Sequence, residues 1–131
     1  MVKQVMMVLS AAAAALFLGA CASMQTAEDV GNQKISDSSS DKNVAHIYAT
    51  NWGIYCFSAP VFTGSTEKPG DILFGKDTVN TQSVVKMLAK KSSDMGATKT
   101  LNLDTKHNSV WILPAFVLFY REVQVSGNAV K

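Results

Sequence analysis

Only residues 81–95 of this sequence place apolar side chains at helical spacing between two capping signals, and the chain around them reads as strands. Asn80 stands where its side chain can accept a free backbone N–H of the first turn. Val79 and Val84 occupy the two positions of a hydrophobic staple, and Gly96 falls where a helix ends in the left-handed conformation. Val84, Leu88 and Met95, flanked by Val85 and Met87, form one apolar stripe, while Lys86, Lys90 and Lys91 point to solvent. A single stripe of this kind needs a sheet to cover.

The sheet is read from β-branched and aromatic runs between turn residues. Residues 44–57, with Ile47, Tyr48, Trp52, Ile54, Tyr55, Cys56 and Phe57, suit one long strand or two interrupted near residues 51–53. Val61, Phe62 and Thr63 extend the sheet beyond Pro60, residues 64–70 are a loop, and Ile72, Leu73 and Phe74 a short strand. After Gly96 the period falls to two, with Leu101 and Leu103 alternating with Thr100, Asn102 and Asp104. Lys106-His107-Asn108-Ser109 predicts a turn into a strand over residues 110–113, hence a hairpin, and Pro114 predicts a bend, bulge or edge. Residues 116–125 close the sheet, with Phe119, Val123 and Val125 on one face. The run 110–119 contains only apolar residues and Pro, too short to span a bilayer, and suits a strand buried on both faces or packed against a partner. The fold class expected for residues 44–131 is α+β: a small two-layer domain, one helix packed on a mostly antiparallel sheet.

Residues 1–20 have another purpose. Lys3 precedes an apolar stretch from Val5 to Leu18 broken only by Ser10, and the small residues Gly19 and Ala20 follow. That is the layout of a secretory signal, and its apolar core is shorter than the roughly twenty residues that cross a bilayer. Leu18-Gly19-Ala20-Cys21 resembles the lipobox of bacterial lipoproteins. The resemblance implies cleavage between Ala20 and Cys21 and attachment of a diacylglyceryl group to the Cys21 sulfur, so that the membrane is reached through a lipid anchor. Several acyl chains anchor stably where one does not. Loss of the apolar segment removes most of the positive mean hydropathy, and loss of Lys3 leaves 11 basic against 10 acidic side chains. Near-neutrality argues against nucleic acid as a partner.

Residues 21–43 are expected to be the acylated N-terminus and a disordered, flexible tether: Asp37-Ser38-Ser39-Ser40-Asp41 is polar, no aromatic residue occurs from Ala22 to Asn43, and the apolar residues show no period. Ala22 follows the acylated Cys where, in bacteria that sort lipoproteins by this position, Asp favours the inner membrane. The location expected is therefore the cell envelope, lipid-anchored, and the outer membrane if the organism is Gram-negative.

Asp94-Met95-Gly96-Ala97-Thr98 at a helix-to-strand junction, and the closing Val125-Ser126-Gly127-Asn128-Ala129-Val130, resemble small uncharacterised bacterial lipoproteins in which a Gly-Ala junction leads into a strand and the chain ends on a "V-x-G-x-A-V" strand. A fainter likeness over residues 80–130 extends to RcsF-type envelope-stress lipoproteins. Those carry disulfides, and here the sequence departs, because an acylated Cys21 leaves Cys56 as the sole thiol. Cys56 is open to three readings: a buried small hydrophobe, an intermolecular disulfide, or a reactive or ligand thiol.

No catalytic set stands out. His46 and His107 lack metal-ligand spacing to Cys56 or to a carboxylate pair, Ser65, Ser83 and Ser109 lack a nucleophile elbow, and Gly64, Gly70 and Gly75 make no phosphate loop. Asp71, Asp77 and Asp104 could meet only through the fold. No cofactor and no metal are expected. The sequence reads as a non-enzymatic envelope interaction or structural module whose candidate surface is Trp52, Tyr55, Trp111 and Tyr120 and whose partner is an envelope protein. The alternative is a small-molecule or metal binder with a pocket between helix and sheet.

Overall fold

The computed structural model describes residues 21–31, 33–36, 38–113 and 117–131. The expectations for residues 1–20, Ala20 included, and for Pro114 lie outside the described residues. The elements are β1 (Ala22–Ala27), β2 (Asn43–Cys56), β3 (Ala59–Gly64), β4 (Ile72–Phe74), α1 (Thr81–Asp94), β5 (Lys99–Leu113) and β6 (Leu118–Val130). One helix lies against a six-stranded sheet of order β4-β3-β2-β6-β5, and β1 also pairs with β2. Every pairing is antiparallel, which makes this an α+β fold.

The helix forms where its caps stand. Asn80 accepts the Ser83 N–H at 2.9 Å. At the other end Gly96 takes φ +82°, so that Ala97 N–H reaches Ser92 O and Gly96 N–H reaches Ser93 O, a Schellman ending. Between these caps Val84, Met87, Leu88 and Ser92 are buried, and Lys86 and Lys90 are exposed. The helix connects one sheet edge, β4, to the other, β5, and in doing so covers the face between them.

β2 is one strand of 14 residues rather than two. Its odd positions from Ala45 to Tyr55 are all buried and its even positions half-buried, so Asn51 and Gly53, which read as an interruption, continue the inward face. β6 repeats the parity with Val123, Val125 and Ala129. Small residues at Ala45, Ala49 and Ala129 leave room for Val84, Met87 and Leu88 of the helix, and these side chains with Ile47, Tyr55 and Val125 are the core. Each large aliphatic side chain in it contributes about 1.5–3 kcal/mol by leaving water.

Two expectations are corrected here. Residues 106–109 do not turn: β5 runs through them, with Lys106 opposite Gln124 and Ser109 opposite Arg121, and the chain reverses only after Leu113. A continuous partner strand outweighs the local turn preference of four polar residues, which lie on a sheet edge where water takes their side chains. The apolar run that follows is not buried on both faces either. Val110, Trp111 and Ile112 are 57%, 56% and 45% exposed.

The segment expected to be a tether begins with a strand. Ala22–Ala27 pairs with residues 46–51 of β2, because β3 covers only residues 53–56 of that edge and the rest of its N–H and C=O groups need a partner. Past β1 the described residues carry no helix or strand until Asn43, yet they are held to the sheet. Lys99 Nζ lies 2.8 Å from Asp41 Oδ1, Asn128 Nδ2 donates to Ile35 O, and Lys42 and Lys131 exchange two backbone hydrogen bonds.

Candidate functional site

Cys21, the residue whose chemistry the sequence singles out, sits at the start of β1. Its carbonyl accepts the Trp52 N–H at 2.8 Å, which places it opposite Trp52 on β2. Alternation from the buried Ala22 directs its side chain to the face away from the helix, within electrostatic reach of the Tyr120 hydroxyl. It is 1% exposed, and burial pushes its thiol up. The strand end is tightly fitted: a Cβ added at Gly64 would collide with the Asn51 side chain and the Cys21–Ala22 backbone.

Behind this junction a polar cluster locks β2, β3 and the loop before α1. Asn51, fully buried, donates through Nδ2 to Thr78 O at 2.9 Å and Gly64 O at 3.2 Å, and Thr63 Oγ1 donates to Lys76 O at 2.8 Å. Tyr55 OH donates to Asp77 Oδ1 at 2.6 Å, and the Arg121 guanidinium lies 4.7 Å from the centre of the Tyr55 ring. Burial first, then the Asp77 carboxylate, raises the Tyr55 hydroxyl far above its ordinary value.

The face away from the helix divides in two. One half is polar: Glu122 accepts from Thr50 at 3.1 Å and from Asn108 at 3.2 Å. Burial alone would raise its carboxyl, but hydrogen bonds from Gln124, Asn108, Thr50 and Tyr120 outweigh it and hold the carboxyl below its ordinary value. Burial, aided by the Glu122 charge, pushes the Tyr120 hydroxyl up to about 12. The other half is apolar. The registers put Phe74, Phe62, Ile54, Tyr120 and Val110 side by side across all five strands, a row of about 20 Å at ordinary strand spacing. Trp52 packs between Phe62, at 6.1 Å, and Tyr120, at 5.5 Å. Phe74 is 73% exposed, and Phe57, in the β2–β3 turn at the end of this half, is 65% exposed.

The four aromatic residues expected to form one surface are thus separated. Trp52 and Tyr120 share the open face. Tyr55 belongs to the core, and Trp111 stacks on Phe119 at 4.1 Å on the helix side of the sheet end. Phe62, Phe74 and Val110 complete the apolar region, with Phe57 and Ile112 at its end; the signal of the first three in the sequence is their parity with Ile54 and Tyr120, legible only once strand partners are known.

The remaining candidates have structural partners. His46 Nδ1 lies 2.6 Å from Asn128 Oδ1, His107 Nε2 lies 3.0 Å from Thr81 Oγ1, and Ser65 Oγ accepts the Lys68 N–H. Cys56 is half-buried and free, opposite Leu118. Asp77 is held by Tyr55, and no group of three or more His, Cys, Asp or Glu among the described residues could hold a metal ion. An open groove of about 300 Å³ is lined by Val79, His107, Ser109 and Arg121 among others, where β5 and β6 pass the loop leading into the helix. No helix among the described residues is long and apolar enough to cross a membrane. Compared with models of known families, with curated proteins and with solved structures, the chain matches none.

Proposed function

We propose that this chain is a bacterial membrane-anchored lipoprotein, acylated on Cys21 after cleavage behind Ala20, whose folded part is a non-enzymatic interaction or structural module of the envelope. One observation carries the reading: the four residues Leu18-Gly19-Ala20-Cys21 end an apolar export segment, and β1 begins at the next residue, Ala22. Cleavage there removes the segment and keeps every described strand. The thiolate is the nucleophile in sulfur chemistry, so a raised and buried Cys21 thiol is a poor acceptor. Acylation therefore belongs to the chain before this end closes on β2. Envelope location and an envelope protein as partner follow from the anchor.

The alternative, a small-molecule binder, is favoured by the groove beside His107 and Arg121. A ligand specific for the native state must raise thermal stability. Melting with and without metals, chelators or cell extract separates the readings, a shift favouring the binder.

The test of the anchor is Cys21→Ala with labelled palmitate. The backbone bond from Trp52 N–H to residue 21 survives the substitution, so the expected outcome is loss of label with the fold intact. Persistent label means that Cys21 is not the attachment site.

A further inference from the structure

We propose that the apolar half of the open sheet face, with the exposed Val110 and Ile112 of β5, is a bilayer-contacting surface that seats the protein against the boundary between lipid headgroups and acyl chains. The inference rests on the acylation of Cys21 proposed above and adds to it the part of the fold that meets the lipid.

Three observations carry it. The first is continuity: β1 starts at Ala22, immediately after Cys21, and the Cys21 carbonyl is bonded to Trp52, so no slack separates the anchor from the sheet. An acyl chain leaving the Cys21 sulfur emerges on the same face as Trp52 and Tyr120. A protein held there cannot place this face far from the membrane.

The second is composition. The row from Phe74 to Val110 contains no charged side chain, and its polar atoms are a Tyr hydroxyl beside a Trp ring, the amphipathic aromatics that favour the membrane interface. Charge begins one step along the strands at Glu122, so the face has a lipid-compatible half and a hydrated half. The exposed Val110, Trp111, Ile112, Phe57 and Phe74 gather around the apolar half, where an isolated soluble domain would leave a large patch in water.

The third is strain. Phe57 and Val117 both hold left-handed backbone, at φ +54° and +53°, and Phe57 N–H donates to Val117 O at 2.9 Å, joining the two turns at this end. Left-handed backbone at an aromatic and a β-branched residue persists only where the surroundings hold it, and it gathers at functional sites. Here it holds an exposed Phe beside the hairpin end.

Of the two tryptophans of the chain, Trp52 lies in the proposed surface and serves as the probe, while Trp111 lies on the helix side of the sheet end. Mature acylated protein is inserted through its anchor into vesicles of phosphatidylethanolamine and phosphatidylglycerol, with or without bromine on the acyl chains. The expected result is blue-shifted emission and loss of intensity on the brominated lipid. With Val110 and Ile112 both changed to Asp, both signals should vanish while palmitate label and vesicle flotation persist. Trp111→Phe, which adds no charge, leaves Trp52 as sole reporter and should still show quenching. Floating, palmitoylated protein whose tryptophans are not quenched overturns the docking surface and leaves the anchor standing. Blue-shifted emission without quenching also overturns it, because a protein then covers the face. Absence of palmitate on the wild-type chain overturns anchor and docking together.

Discussion

The two faces of this sheet are built from the same strands and obey different rules. On the helix side, alternate residues of β2 and β6 are buried almost without exception, and small side chains at Ala45, Ala49 and Ala129 let Val84, Met87 and Leu88 approach. On the other side the same strands carry their largest rings, Trp52 and Tyr120, and no element among the described residues covers Phe74 or Val110. The helix face is where folding free energy is gained. On the open face Trp52 and Tyr120 are half-buried against each other, while Phe74 and Val110 stay in water and contribute little to folding. Within that open face the contrast recurs: the Glu122 half satisfies its polar groups internally, while the Tyr120 half leaves apolar surface to be covered.

The comparison is broken most directly by truncating one side chain on each face. Leu88→Ala removes a fully buried side chain from the core and should cost about 3 kcal/mol in denaturant unfolding. Val110→Ser on the open face should stay within about 0.5 kcal/mol. Equal costs would mean that the open face is part of the folding core.

Glu122 sharpens the division within the open face. Its carboxyl is held below the ordinary value in the fold, so it contributes stability above the unfolded pKa of about 4.3, lost as pH falls through the lower folded value. Glu122→Gln should therefore cost about 1 kcal/mol at neutral pH, and the gap to wild type should close in melts at more acidic pH. A penalty independent of pH would show that shape and not charge matters there.

The smallest effect is expected at Phe57. Glycine adopts its left-handed backbone without strain, and a 65% exposed ring gives up little packing, so Phe57→Gly should leave stability unchanged or raise it by up to about 1 kcal/mol. A loss larger than that would move Phe57 from the open surface to the core.

Much of this was legible along the chain because it depends on neighbours in sequence. Asn80 and Gly96 bound the helix, and the stripe from Val84 to Met95 faces the sheet as its spacing predicts. Where the reading of residues 106–109 departs from the fold, local signals met a partner from far along the chain: β6 keeps β5 extended through four turn-forming residues, and of the two readings left open at residues 51–53 the same strand decides for one long β2. β1 was hidden for the same reason. Its six residues have little strand preference, and they pair because β3 leaves half of the β2 edge free.

The sequence by itself determined the helix and the α+β class, since caps and apolar period are written in spacings of a few residues. The tertiary structure decided which parity faces the helix, that Cys21 lies beside Trp52 at the start of β1, and that Phe74, Phe62, Ile54, Tyr120 and Val110 form one row. Those facts depend on strand order and register, which are set by pairing between segments tens of residues apart, and no local spacing encodes them.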